Sequence, residues 1–523
     1  MGQPARGNLA RAAGSVMLAF LIAQFLGLAR RVLVARAFGA SADLDAFIAA
    51  NRVSETLFNL VAGGALGSAF IPTFTGLLAQ EKRREAWQLA SAVANWIVLL
   101  LSLLALLAAL FAPSLVRYAL APGFYADPQQ FRLTVHLLRI QVSSAVIFGL
   151  SGLVMGILNA HGVFFIPALT PAMYQLGMIA ALLLLSPAWG IRGLAWGVVI
   201  GAAGHLLVQS PSLLRLPSPP HGKYHLTLGW TQPAVLQVAR LMAPRLFGVA
   251  VVQINFWVNI WLASRMVEGS ITGIEYAFAL MLMAEIAIAQ SVATAILPTL
   301  SADYALGNLS RLRATLVQAL RAVIFLALPA AAGLAILRFP LIELLYQRGE
   351  FTPRSTQLVA WALLWYALGL PAHSLLEVLA RAFYAMQDTR TPVQVGAAAM
   401  SLNLLFSLFF SALFARSGWM PHGGLALANS LATLLEALTL LWLMRRRLQG
   451  IEGKRLTLGL IQSLSATLLM SLVLALALRT LPSGTSAILP TLGSVLAGAL
   501  IYFSLLWLLG VPEVRRFPSG RRS

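Results

Sequence analysis

The chain contains no cysteine among its 523 residues, so disulfides, thiol chemistry and cysteine-based metal sites are excluded. Charge is also scarce: charged residues make up 10%, against roughly 25% in an ordinary soluble domain. Acidic residues are scarcer still, 17 Asp plus Glu against 37 Lys plus Arg. No sizeable loop carries the acidic cluster that a metal-dependent or sugar-nucleotide enzyme needs. The seven histidines form no HExxH-like pair and there is no P-loop, so zinc chemistry and ATP hydrolysis have no support. No metal, no cofactor and no catalytic residue is expected, and the reading is of a protein that is not an enzyme.

What is present is hydrophobic residue, 59% of the chain, in long uninterrupted runs from residue 14 to residue 510. A hydrocarbon slab about 30 Å thick takes about 20 apolar residues per helix. The runs do not alternate, which argues against a β-barrel. The expected fold is an all-α polytopic membrane protein with about fourteen spans. They lie near 14–38, 46–77, 86–112, 133–160, 163–186, 191–214, 236–264, 273–300, 312–338, 356–386, 391–415, 423–446, 458–480 and 485–510. The first is read as an uncleaved helix, too long for a signal peptide.

The formal charge of +20 would suggest nucleic acid in a soluble protein, but no soluble basic domain exists to bind it. Basic residues instead collect in alternate loops: Lys82-Arg83-Arg84, Lys223, Arg311 with Arg313, Arg390, and Arg445-Arg446-Arg447 with Lys454 and Arg455. Arg515, Arg516, Arg521 and Arg522 extend the series. Positive residues favour the inside, which places both termini in the cytoplasm and the chain in the cytoplasmic (inner) membrane.

An internal echo gives the organisation. "AFIPTFTGLLAQ" begins at Ala69 and "AILPTLSADYAL" at Ala295, six spans apart and therefore in the same orientation. Two parallel six-helix lobes are expected, residues 1–215 and 216–450, with 451–523 as two added helices and a basic tail. A chance match of short helix ends is the alternative.

Several stretches resemble one family. "LGLARRVLVARAFGASADLDAF" at 26–47, "AGGALGSAFIPTF" at 62–74, "LAPGF" at 120–124 and "GILNAHGVFFIPALTP" at 156–171 are the first. "APRLFGVAVVQINFWVNIWLAS" at 243–264, "LLYQRGEFT" at 344–352 and "RAFYAMQDTRTPV" at 381–393 follow. In this order they resemble the lipid II flippase family MurJ (MviN), within the multidrug/oligosaccharidyl-lipid/polysaccharide exporter superfamily. The resemblance implies two lobes around a central cavity and two C-terminal helices beside a lipid-facing groove. It implies flipping of undecaprenyl-pyrophosphate-linked peptidoglycan precursor by alternating access. The implied partners are that polyprenyl-pyrophosphate-linked glycolipid and membrane lipids, with cell-wall synthesis enzymes as candidates. Another polyprenyl-linked glycan, or a non-transporting scaffold, stays open as an alternative.

Ionised side chains in the bilayer must face water or a partner. Arg30 and Arg31 on span one, Asp45 and Arg52 on span two and Arg245 on span seven are therefore candidates to line a wet cavity. Arginine suits a diphosphate through bidentate, always-charged contacts. Asp45 reads better as a pair or a helix cap than as an anion contact. Arg52 and Glu55, three apart, and Glu377 and Arg381, four apart, can pair on one helical face. The resemblance also marks absences. Ala23 and Gln24 stand where similar flippases carry Ser-Arg, Phe58 and Asn59 where an arginine is usual, and Ala279 where "YAFALM" would carry another. Gln24 is accordingly kept as a candidate cavity residue. Span seven has no acid and span eleven offers Asn403 and Ser407, so a sodium site like that of some relatives is not expected.

Overall fold

Hydrocarbon offers no partner to a peptide group, so each crossing must satisfy its own backbone, and a helix does so within one segment. A computed structural model of the chain follows that rule: among the described residues every regular element is helical. The structure describes residues 6–61, 66, 69–217, 224–480 and 488–511; the side chains of 6–13, 61, 243–245, 247, 479–480 and 488–490 lie outside it. The glycine-rich stretch at 62–67, Lys223 and the basic tail thus fall wholly or mostly outside the described residues.

Twelve helices among the described residues are long and apolar enough to cross a membrane, against the fourteen or so expected. The difference lies in two segments that the sequence reading counted. The second expected span begins as Ala42–Val61, which carries Asp43, Asp45, Arg52 and Glu55 and is too polar to qualify. The seventh is a 31-residue helix, Pro233–Ala263, whose side chains at 243–245 and 247 lie outside the described residues, so that Gly248–Ala263 is the apolar part described.

The chain divides into two compact units, residues 1–268 and 269–523. The first contains α1 (Arg6–Phe38), α2 (Ala42–Val61), α3 (Ile71–Ala79), α4 (Arg83–Leu110), α5 (Pro128–Gln141), α6 (Ser144–Ala160), α7 (Phe165–Leu184), α8 (Ile191–Leu207) and α9 (Pro233–Ala263). Lipid tails give helices no hydrophobic reason to associate, so close packing of small residues has to hold them. Gly193, Gly197 and Gly201 repeat every four residues along α8; the last two face α7 and Gly193 faces Leu185 and Ser186 just beyond its end. A Cβ on Gly197 would lie 2.8 Å from the Ala181 Cβ, and one on Gly201 would lie 2.7 Å from the Tyr174 carbonyl. Deeper in the unit, Phe70, Phe74, Trp87, Leu101 and Leu153 share one core, with Phe74 meeting Trp87 edge-on at 6.1 Å. The "LAPGF" motif is a close-approach device. The Gly123 backbone abuts that of Ser264 with no room for a Cβ, and the Gly123 amide donates to Ser264 Oγ at 3.2 Å.

The second unit contains α10 (Ser270–Glu285), a π turn (Ile286–Gln290), α11 (Ser291–Ala305), α12 (Leu309–Ile336), α13 (Pro353–Ala385), α14 (Arg390–Arg416), α15 (His422–Arg447), α16 (Gly453–Thr480) and α17 (Ile488–Leu508). α13 is the axis of this unit, packed on α10, α12 and α15. "LLYQRGEFT" proves to be packing chemistry. Tyr346 and Phe351 are both 1% exposed and pack against Tyr276, Tyr346 edge-on at 5.1 Å, while Gly349 turns the chain between them at φ 62°. "QDTRTP" starts α14: the Asp388 carboxylate accepts from the Arg390 and Thr391 amides at 3.1 and 3.0 Å and from Thr391 Oγ1 at 2.7 Å, and pairs with Arg447. α16 and α17 pack together and on α12, joined by Ser463 Oγ and Tyr502 Oη at 2.7 Å inside a cluster of Phe325, Met470 and Leu506.

Each echoed motif borders a cavity, but through different positions of the repeat. In the first unit Pro72, Thr73, Gly76 and Gln80 line a cavity of about 570 Å³. In the second, Ser301, Tyr304, Ala305 and Gly307 line one of about 730 Å³.

Candidate functional site

The first unit gathers its intramembrane charges onto neighbouring helices. Arg30, three-quarters along α1, is half-buried, and its Nε donates to Gln175 Oε1 of α7 at 2.6 Å. One turn earlier Gly27 also faces Gln175, where a Cβ would lie in ordinary contact with its amide at 3.5 Å. Tyr174, beside Gln175, lies within electrostatic reach of both Arg30 and Glu55.

Arg52 and Glu55 pair along α2 at 2.8 Å, as their spacing predicts. The pair is set in a polar frame. Asn51 Nδ2 donates to Glu55 Oε1 at 2.7 Å, and the Arg52 guanidinium lies over the Phe256 ring at 4.8 Å. Thr56 Oγ1 donates to the Arg52 carbonyl at 2.7 Å and receives Trp257 Nε1 of α9 at 2.8 Å.

These arrangements differ electrostatically. Arg52 is matched by a carboxylate. Arg30 is held by a neutral amide, so its charge is undiminished and one of its five N–H donors is used by Gln175. Counting Arg30 and Arg52 as +2 and Glu55 as −1, the group carries a net charge of +1.

The other sequence candidates are placed as follows. Arg31 is half-buried, about 100° round the helix from Arg30. Gln24 is exposed among exposed Phe20, Leu21 and Phe25. Asp45 is 2% exposed in the first turn of α2. The start of that helix is held by Ser41, whose Oγ accepts from the Leu44 amide at 3.3 Å, and by Glu268, which accepts from the Ala42 amide at 2.8 Å. A carboxylate at a helix N-terminus is favoured by the backbone dipole. Arg245 falls in α9, with its side chain outside the described residues. Of the positions lacking a family cation, Phe58 packs on Phe148 at 5.2 Å and Ala279 is 4% exposed.

Sequence reasoning missed Gln175, Asn51, Thr56 and Trp257. The available signal was weak: amides and an indole inside apolar spans, as in "VQINFWVNIW". Their partners lie as far as 145 and 201 residues away, beyond any helical periodicity.

The lipid II flippase MurJ family model matches residues 34–492. The Burkholderia cenocepacia lipid II flippase MurJ is 32% identical over 445 residues, 84% of this chain and 84% of that one. The probable lipid II flippase MurJ of Vibrio cholerae serotype O1 is 33% identical over 428 residues, 80% of this chain and 79% of that one. Among solved structures, a lipid II flippase MurJ in an inward closed conformation superposes with a TM-score of 0.80 at 26% identity, covering 94% of this chain and 98% of its own. An inward-facing multidrug resistance MATE family transporter shares the fold at TM-score 0.65 and 15% identity, over 82% of this chain and 94% of its own. With a family match over residues 34–492 and relatives above 30% identity over four-fifths or more of its length, this chain belongs to the lipid II flippase MurJ family.

Proposed function

We propose that this chain flips lipid II, the undecaprenyl-pyrophosphate-linked peptidoglycan precursor, across the cytoplasmic membrane by alternating access. The observation that carries the reading is the family match from residue 34 to residue 492. The site chemistry is consistent with it. A diphosphate carries about two negative charges and needs fixed cations rather than a catalytic nucleophile. Arg30 is the group best suited to it, since its guanidinium is tethered and oriented by Gln175 without being neutralised. Arg245 and Arg31 are proposed to add charge, whereas Arg52 is assigned to hold α2 through Glu55. Asp45 and Gln24 are kept as flanking residues.

The proposed orientation has both termini in the cytoplasm, from the basic loops at 82–84, 445–447 and 454–455. The echo keeps the lobes at 1–215 and 216–450, with 451–523 appended. Cell-wall synthesis enzymes are proposed as neighbours that supply and consume the lipid.

A second reading, a carrier of another polyprenyl-linked glycan, is favoured by Phe58 and Ala279 standing where similar flippases carry cations. Complementation separates the two. This chain, expressed in a bacterium depleted of its own lipid II flippase, is expected to restore growth and shape. Normal membrane insertion without rescue would overturn lipid II as cargo and leave the second reading.

A further inference from the structure

Glu285 is the last residue of α10, and the π turn Ile286–Gln290 follows it before α11 continues. Residues 270–305 form one apolar crossing, so this carboxyl sits near mid-membrane. π turns inside helices often mark functional positions. Glu285 is 5% exposed, and its Oε1 is buried with no hydrogen-bond partner.

The charged groups that act on it are Glu377 and Arg381 of α13. These two make a long ion pair, Arg381 Nη2 to Glu377 Oε2 at 3.7 Å. Arg381 is thus ion-paired to Glu377 and reaches Glu285 only through its field, while the π turn that follows Glu285 packs on α13. With all three ionised the cluster holds a net −1 charge and a bare buried oxygen, an arrangement hydrocarbon strongly disfavours.

Other helices packed nearby direct their ionisable groups elsewhere. Arg321 of α12 lies over Phe325 and donates to the Arg455 carbonyl. Asp303 of α11 pairs with Arg311. Glu436 of α15 faces Gly396 of α14. His373 of α13 is held by Asn429 and Thr433. Glu275, on α10 itself, stands about 15 Å further along the helix. Among the described residues no group of three His, Asp or Glu side chains is arranged to hold a metal ion.

We propose that Glu285, with Glu377 and Arg381, is an intramembrane proton site that takes up one proton from water and releases it during the transport cycle. One O–H bond of a hydronium ion breaks as the carboxyl O–H bond forms, a water molecule is left, and the cluster's charge goes from −1 to 0; release reverses the step. Linkage to a transport cycle rests on the proposed function; the proton site itself does not.

Infrared difference spectroscopy of the full chain in vesicles, titrated with pH, tests it. The wild type should show the carbonyl stretch of a protonated carboxyl that disappears at high pH. Glu285→Gln should abolish that band, and Glu377→Gln should shift its titration. A band unchanged in both variants overturns the proposal. Replacing choline chloride by sodium chloride should leave the band unaltered; loss of the band with sodium would make this a cation site and also overturn it. In the same vesicles a pH gradient should change the lipid translocation rate in the wild type and not in Glu285→Gln. A titrating band with gradient-independent translocation overturns the coupling. A titrating band in a chain that fails complementation refutes the lipid II cargo and leaves the proton site standing.

Discussion

Replacing Arg30 by alanine removes a charge and orphans an amide, and the two consequences can be measured apart. The guanidinium donates to Gln175 Oε1 at 2.6 Å. Gln175 is only partly buried, so water can replace the lost donor, and the fold should lose about 1 kcal/mol, the lower end for an unpaired acceptor. The loss toward a diphosphate is larger. A hydrogen bond to a charged group contributes about 1.5–3 kcal/mol, which is roughly a 10- to 150-fold weakening of lipid binding. Translocation of a labelled lipid II by the purified chain in vesicles, at subsaturating lipid, should fall by that factor. Thermal melting in detergent should move little. Arg30→Lys keeps the charge without the planar fork and should fall between the two. Gln175→Leu removes the tether but not the charge, and should cost translocation much less than Arg30→Ala. The reasoning fails if Arg30→Ala translocates within twofold of wild type. It fails equally if Gln175→Leu reproduces the whole loss, because Arg30 would then be a structural residue.

Arg52→Met alone should destabilise the first unit by more than the about 1 kcal/mol of an exposed pair and less than the about 3–5 kcal/mol of a fully buried pair broken on one side. The reason is that Arg52 is 11% and Glu55 43% exposed; Arg52→Met with Glu55→Gln should recover part of the loss in the same melting assay. Asp388 is pushed up by burial, but the amide and hydroxyl of Thr391 and the Arg447 guanidinium outweigh that and hold it at about 2, below the ordinary 3.8. A depressed carboxyl stabilises the fold above its unfolded value, so its contribution should be full above about pH 4 and vanish as pH falls toward 2. Asp388→Asn should flatten that acid limb in a pH series of melting curves. At neutral pH it should cost about 1 kcal/mol or less, because Asn keeps a capping oxygen and only the charge pairing with Arg447 is lost. Gly197→Val should separate α7 from α8, since even a Cβ would lie 2.8 Å from Ala181; overpacking of about 1–3 kcal/mol is expected, read as a lower melting temperature.

The local part of the site was readable because it obeys helix geometry. Arg52 with Glu55 and Glu377 with Arg381 are three and four residues apart, and both pairs form. The family motifs were readable as landmarks but not as chemistry. Nothing in "LAPGF" says that its glycine faces the Ser264 backbone, nor in "QDTRTP" that Asp388 both starts a helix and meets Arg447.

Hydropathy alone fixed the membrane class and most of the span positions, because a peptide group in lipid leaves a long apolar segment little choice but a helix. Its count of about fourteen is met by twelve apolar helices among the described residues, Asp43, Asp45, Arg52 and Glu55 making α2 more polar than the rest. Only the tertiary structure decided which charges meet neutral groups, which meet carboxylates and which meet nothing. Arg30 finds Gln175 across 145 residues, and Glu285 comes under Glu377 and Arg381 while one of its oxygens stays bare. The physical reason is that periodicity sets the face a side chain occupies, while the neighbour opposite that face is chosen by helix packing. That packing turns on small residues such as Gly197 and Gly201, whose effect appears only when two helices come together.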